Sequence, residues 1–114
     1  MTTAVNQLPG TIPALLARRA AATPDKPFIV DGAVTLSYKE TQDQAAALAA
    51  WLLSKGCLLE DRVAIWAPNC HQWIVAALAA QTVGATVVTL NTRYKGAEAA
   101  DILRRSGSRF LFSV

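Results

Sequence analysis

The strongest constraint on the fold is a long stretch without charge. No side chain between Arg62 and Arg93 carries a formal charge. A stretch of this length cannot supply exposed polar helices, and its pattern predicts a buried β-α-β unit. We expect a strand at 61–66, a helix at 70–83 and a second strand at 86–90.

A membrane-spanning helix is the alternative for such a stretch, since it also needs about 20 apolar residues. Polar residues and a proline interrupt the stretch at Pro68, Asn69, His71, Gln72, Gln81 and Thr82. Polar groups in lipid are costly unless they find partners, so we expect no transmembrane segment. Gly84 suits the positive φ at the end of a buried helix.

Composition indicates one globular domain at most. The chain has 114 residues, of which 53% are hydrophobic and 17% charged. A disordered chain has the opposite balance. The net charge of +3 comes from scattered Lys and Arg. No basic run alternates with aromatic residues, so nucleic-acid binding is not predicted.

The cysteines and the N-terminus indicate a cytoplasmic protein. Cys57 and Cys70 form no Cys-x-x-Cys pair and lie near no histidine cluster, so we expect two free thiols and no metal site. Residues 1–9 lack the basic and apolar regions of a secretory signal. We expect residues 1–10 to be a flexible N-terminus.

Before the uncharged stretch, the sequence predicts a helix and a hairpin. Thr11 is a suitable N-cap for a helix that ends before Pro24. Two apolar segments, 28–30 and 34–36, flank the Asp-Gly pair at 31–32. Asp-Gly favours the positive φ of a tight turn, so these segments should form a β-hairpin.

Two further helices and a last strand complete the pattern. Ser37 and Glu40 have the spacing of a capping box, which predicts a helix that ends near Gly56. A fourth helix is expected at 97–106 and a strand at 110–114. The alternation indicates an α/β fold, a partial Rossmann-like, mostly parallel sheet with flanking helices. With one face of its last strand uncovered, the isolated chain should be marginally stable and prone to aggregate.

Ligands of open α/β sheets bind beyond the carboxyl ends of the strands, which directs attention to residues 67–71. Asn69 is predicted to cap the following helix rather than to contact a ligand. A general-base role for His71 is not favoured, because no serine, cysteine or carboxylate is spaced to partner it. Cys70 is adjacent to His71, but neighbours on a helix point to different faces.

The loop at 91–94 is the most polar strand end, with Asn91, Arg93 and Tyr94. Arg93 could meet a carboxylate or phosphate; the simpler interpretation is that it caps carbonyls or pairs with Glu98. Three tryptophans are predicted as core or subunit-contact residues: Trp51, Trp66 and Trp73.

The glycine-rich phosphate motifs of nucleotide-binding proteins are absent from the sequence. No carboxylate pair is placed for acid-base chemistry. We therefore assign no catalytic, cofactor-binding or metal-binding residue.

Several short segments, each weak alone, together resemble the amino-terminal part of acyl-CoA ligases of the adenylate-forming, AMP-binding superfamily. They are 35–40 (TLSYKE), 55–56 (KG), 61–65 (DRVAI), 68–69 (PN), 84–85 (GA), 87–88 (VV), 90–94 (LNTRY), 102–103 (IL) and 110–112 (FLF). The resemblance is greatest to actinobacterial ligases for ring-bearing propionates from sterol breakdown, with fatty-acid and aryl ligases close to it.

The resemblance implies activation of a carboxylic acid with ATP and Mg²⁺ to an acyl-adenylate, followed by transfer to coenzyme A. Family members carry a phosphate loop, a metal-binding Glu, a ribose-binding Asp and a catalytic Lys that are missing here. Residues 11–114 then form an incomplete N-terminal domain of AMP-binding type. Alone it should be inactive and need no cofactor, and its partners would be the remainder of the ligase chain or a second copy.

Two alternatives remain at this point. The first is a standalone interaction module that uses the same scaffold to pair with a ligase or with itself. An exposed strand edge and the tryptophans favour that interpretation. The second is half of a dinucleotide-binding domain, which has the same alternation of elements but needs the absent glycine motif.

Overall fold

The computed structural model describes residues 10–114 of the 114-residue chain. The predicted flexible N-terminus, 1–10, lies outside the described residues except for Gly10. The helices are α1 (Ile12–Ala22), α2 (Tyr38–Ser54), α3 (His71–Thr82) and α4 (Gly96–Ser106). The strands are β1 (Pro27–Asp31), β2 (Val34–Ser37), β3 (Arg62–Trp66), β4 (Thr86–Thr89) and β5 (Phe110–Ser113).

The strands form two separate sheets. β3 lies at the centre of a parallel sheet with the order β4-β3-β5. In this sheet Ala64 is level with Val88 on one side and with Leu111 on the other. β1 and β2 form an antiparallel hairpin outside that sheet.

Helices cover both faces of the parallel sheet, which confirms the predicted α/β class. On one face, Val63 packs in a cluster with Leu52 of α2 and Ala79 of α3. On the other face, Ala64 packs with Leu90 and with Ala99 of α4. Side chains alternate between the two faces of a strand, so β3 is buried on both.

The burial of α3 explains why the stretch between Arg62 and Arg93 carries no charge. Its residues Val75 to Ala80 are all buried, because the helix lies between the sheet, α2 and the hairpin. Val75 packs with Ile29 and Leu36 of the hairpin, while Leu78 packs with Leu16 and Ala45. A charged side chain in the middle of α3 would be desolvated without a partner.

The predicted helix ends are largely confirmed. Ser37 Oγ accepts a hydrogen bond from the Glu40 amide at 3.0 Å, and Glu40 Oε1 accepts one from the Ser37 amide at 2.9 Å. Gly84 has a φ of +80° just past α3.

The predicted position of the hairpin turn is wrong by one residue. Asp31 is the last residue of β1 and pairs with Val34, so the two-residue turn is Gly32-Ala33. Gly32 adopts the positive φ, +57°, at the first turn position. Asp31 therefore keeps an extended backbone at the end of the strand.

Within residues 10–114, none of the helices combines the length and the apolar character that a membrane span requires. The longest helix, α2, has 17 residues and carries Lys39, Glu40 and Asp43.

Candidate functional site

The loops after β3 and β4 enclose a pocket at the carboxyl edge of the sheet. The cavity measures about 560 Å³ and is lined by 67–69, 89–92, Trp73 and Tyr94. We call this pocket the strand-end crevice. It lies where open α/β sheets bind ligands, and both loops singled out from the sequence contribute to it.

Asn91 organises one wall of the strand-end crevice. Its backbone carbonyl accepts hydrogen bonds from the indole nitrogen Nε1 of Trp66 at 3.1 Å and from the Tyr94 amide at 3.0 Å. Its side-chain oxygen Oδ1 accepts one from the Arg93 amide at 2.8 Å. Asn91 thus ties the end of β3 to the loop after β4.

The predicted pairing of Arg93 with Glu98 is wrong. Glu98 Oε1 accepts a hydrogen bond from the Lys95 amide at 3.4 Å, as a carboxylate in the first turn of α4 does when it caps the helix. Among the described residues, the Arg93 guanidinium forms neither an ion pair nor a hydrogen bond to a carbonyl. The Arg93 side chain is exposed.

The predicted role of Asn69 is also wrong. The N-cap of α3 is Cys70, and its side chain makes no capping hydrogen bond. The cap comes from the hairpin instead, since Asp31 Oδ2 accepts a hydrogen bond from the His71 amide at 2.9 Å. A carboxylate at a helix N-terminus also interacts favourably with the helix dipole.

His71 does have a carboxylate partner, contrary to the expectation from spacing. Its ring nitrogen Nδ1 lies 2.8 Å from the same Oδ2 of Asp31. These hydrogen bonds from the ring and the amide of His71 lower the pKa of Asp31 below its ordinary value of 3.8. Forty positions separate the two residues, so no local motif could have revealed the pair.

The two cysteines lie in different environments. Cys57 is buried in the cluster beneath the sheet, and this burial raises the pKa of its thiol. Cys70 is half-buried at the start of α3. In the part of the chain that the structure describes, no group of three or more His, Cys, Asp and Glu side chains could hold a metal ion.

Two of the three tryptophans predicted as core or subunit-contact residues pack against the core. Trp66 and Trp73 pack against core clusters on opposite faces of the sheet. Trp51 places its ring 6.3 Å from that of Phe110 and 6.1 Å from that of Phe112, yet 44% of the residue is exposed. Trp51 therefore covers β5 without being enclosed.

The fold and the strand-end crevice agree with the family comparison. The model of the family described as "AMP-binding enzyme" matches residues 16–114. The chain belongs to the AMP-binding enzyme family. The resemblance found in the sequence is thereby confirmed, and a dinucleotide-binding half-domain is excluded.

Relatives of this chain include two ligases with the same name from actinobacteria. The 3-[(3aS,4S,7aS)-7a-methyl-1,5-dioxo-octahydro-1H-inden-4-yl]propanoyl:CoA ligase of Mycobacterium tuberculosis is 43% identical over 104 residues, which are 91% of this chain and 20% of the relative. Its counterpart in Rhodococcus jostii is 39% identical over 102 residues, 90% of this chain and 20% of the relative. The chain thus spans about a fifth of the length of these curated relatives.

Solved structures show the same architecture. The N-terminal subdomain of Klebsiella oxytoca NpsA in complex with 3-hydroxyanthranilyl-AMSN has a TM-score of 0.82 and 25% identity, and the match covers 90% of this chain and 26% of that one. VinN in complex with 3-methylaspartate has a TM-score of 0.82 and 26% identity, with 96% and 28% covered. This chain therefore has the fold of part of such a subdomain.

Proposed function

We propose that residues 11–114 are the amino-terminal scaffold of an AMP-forming acyl-CoA ligase. The whole protein would join a carboxylic acid to ATP as an acyl-adenylate, release pyrophosphate, and transfer the acyl group to coenzyme A. ATP, Mg²⁺ and coenzyme A are then cofactors of the whole protein.

The observation that carries this proposal is the strand-end crevice in a chain that is 43% identical to a CoA ligase over 104 residues. The aligned region covers 91% of this chain and so includes both strands that bound the crevice and the loops after them. Fold alone does not determine function, but this similarity includes the loops as well as the elements that support them.

The scaffold alone does not fit Mg²⁺-ATP. Mg²⁺ needs carboxylates together with phosphate oxygens. The described residues contain no group of three or more His, Cys, Asp and Glu side chains that could hold a metal ion, and the sequence lacks a glycine-rich phosphate loop. The 114-residue chain is therefore proposed to be inactive, and no step of the reaction is assigned to its residues.

The acid substrate is proposed to be a propionate attached to a fused ring system. Two relatives carry that chemistry in their names, at 43% and 39% identity. A fatty acid is the second candidate, since a medium-chain acyl-CoA ligase from Macaca fascicularis is 27% identical.

The first measurement is the intact mass of the protein from its source, with the reading frame checked beyond Val114. If the product is longer, acid-dependent exchange of radioactive pyrophosphate into ATP should occur with a ring-bearing propionate. The purified 114-residue chain is the matched control and should give no exchange. Exchange by the short chain, or none by a longer product with any ring-bearing, fatty or aryl acid, would refute the proposal.

An interaction module on the same scaffold is the second candidate. Exposed apolar side chains favour it, namely Trp51, Leu53, Leu58 and Leu59. A mature product that ends at Val114 and forms a stable dimer in light scattering, or co-purifies with a ligase, would support this candidate. A monomer without such a partner would remove it. Both candidates are proposed to act in the cytoplasm.

A further inference from the structure

The start of α3 depends on a residue from another part of the fold. Helix N-termini leave backbone amides without partners, and Ser, Thr, Asp or Asn at the N-cap usually bonds one of them. Here the N-cap is Cys70, whose side chain makes no such bond. Asp31, forty positions earlier, accepts the hydrogen bond from the His71 amide instead.

The position of the hairpin turn makes this contact possible. Asp31 is the last paired residue of β1, directly before the turn at Gly32. Two apolar residues behind it, Ile29 and Leu36, pack against Val75 one turn along α3. The hairpin is thus held against the helix by apolar contacts, and the carboxylate lies over the first turn of the helix.

The same carboxylate oxygen also contacts the His71 ring. Oδ2 lies 2.8 Å from Nδ1 and 2.9 Å from the backbone nitrogen, so one atom restrains both the ring and the main chain of His71. When the imidazole is neutral, a donor at Nδ1 fixes the tautomer and leaves Nε2 as an acceptor. The side chain of Asp31 is 35% exposed, and the side chain of His71 is 21% exposed.

Residues on either side of His71 form one wall of the strand-end crevice. Asn69 lines it directly, and so does Trp73, whose amide donates a hydrogen bond to the Cys70 carbonyl at 3.2 Å. Asn69 and Trp73 also line the adjoining pocket that contains Asp31 and His71. A restraint on His71 is therefore a restraint on this wall.

We propose that Asp31 is a positioning residue for the strand-end crevice: its carboxylate holds His71 and so fixes the wall formed by Asn69 and Trp73. The importance of that wall for catalysis rests on the proposed ligase function. The positioning itself does not, because it can be measured without substrate.

Amide hydrogen exchange measured by NMR on the 114-residue chain provides the test. In Asp31→Ala, the amides of residues 71–74 should exchange about five- to tenfold faster, as expected for loss of a helix cap. Asp31→Asn retains an oxygen acceptor and should restore most of the protection. Asp43→Ala is the matched control, since it removes another carboxylate in a 2.7 Å ion pair, with Lys39, on the exposed side of α2.

A purely structural role would give a different pattern. Loss of global stability accelerates the slowest core amides, such as those of Val63 and Ile65, together with the helix start. Positioning accelerates the helix start and shifts the resonances of Asn69 and Trp73, while the opposite wall at Asn91 and Tyr94 is unchanged. Equal acceleration everywhere, or none at 71–74, would overturn the proposal.

If Asp31→Ala fails to fold, the Asp31→Asn variant tests the proposal instead. The neutral amide is a weaker acceptor than the carboxylate, so exchange at 71–74 should still rise about two- to threefold with unchanged core amides. Protection identical to that of the unmodified chain would show that the charge of Asp31 has no positioning role. Both outcomes are read from amide exchange and do not depend on ligase activity.

Discussion

Arg109 donates a hydrogen bond to the Asp61 carboxylate over 2.7 Å, and the two residues directly precede the neighbouring parallel strands β5 and β3. The same oxygen of Asp61 accepts a hydrogen bond from the Leu58 amide at 2.8 Å. One carboxylate therefore joins the amino ends of two strands and orders the loop between α2 and β3.

The two partners should contribute unequally to stability. Arg109→Ala removes a half-exposed ion pair and should lower the free energy of unfolding by about 0.5–1 kcal/mol. Asp61→Ala also leaves the Leu58 amide without its acceptor, so we expect a loss of about 1–3 kcal/mol. Urea denaturation measures both values. Equal losses would show that the bond to Leu58 has no net effect.

Two adjacent leucines in α2 should contribute very differently to the free energy of unfolding. Leu52 is 0% exposed and packs beneath the sheet, whereas Leu53 is 59% exposed. Leu52→Ala should reduce the free energy of unfolding by about 2–5 kcal/mol, enough to unfold much of a marginal domain. Leu53→Ala is the control, with an expected change within about 0.5 kcal/mol. Circular dichroism during urea titration compares them, and similar midpoints would contradict the assigned core.

The local features of the fold could be predicted from the sequence because their signals are local. The buried β-α-β unit follows from the uncharged stretch, and the capping box at Ser37 and Glu40 needs only four residues. The Asp-Gly pair also predicts the hairpin but places its turn one residue early, because Asp-Gly and Gly-Ala both supply a glycine with positive φ. The pairing partner of Asp31 decides between them, and that partner lies across the hairpin.

The contacts of the site depend on tertiary structure. Asp31 reaches His71 only after the hairpin packs against α3, and Trp66 reaches the Asn91 carbonyl only when β3 and β4 pair. A cysteine at the N-cap is the one indication in the sequence that another residue has to cap α3. It does not identify Asp31.

The ionisation of Asp31 gives a prediction about acid stability. Its pKa in the folded chain is lowered from 3.8 by the hydrogen bonds from His71. A carboxyl group whose pKa is lowered by folding stabilises the folded chain at every pH above its ordinary pKa of 3.8. This contribution is lost as the pH falls below about 3.8 and the carboxylate of the folded chain takes up a proton. In His71→Ala the ring bond is lost, so the pKa of Asp31 should rise towards 3.8.

The ¹³C resonance of the Asp31 carboxyl carbon, followed against pH, measures this change. Asp43→Ala leaves His71 in place and should give the same Asp31 titration as the unmodified chain. An Asp31 titration that is identical with and without the His71 ring would disprove the assigned cause.

The two thiols should react at different rates. Cys57 is buried and its thiol pKa is raised, chiefly by that burial and further by the nearby Asp61 carboxylate. The thiolate is the reactive form. We therefore expect iodoacetamide to modify Cys70 at least about tenfold faster than Cys57 at neutral pH. Mass spectrometry of the peptides gives the rates, and in denaturant the two should converge. Faster reaction at Cys57 would contradict its placement in the core.

The order β4-β3-β5 has a consequence for synthesis on the ribosome. The central strand leaves the exit tunnel before both of its neighbours, so β3 has no partner until β4 and then β5 follow. The pairing of β1 with β2 and the packing of α1 on α2 involve only the first half of the chain and can form earlier. For an interval, a nascent chain exposes both edges of the strand that is most buried in the folded protein. During that interval the chaperones that bind unpaired strands should have their greatest effect on yield.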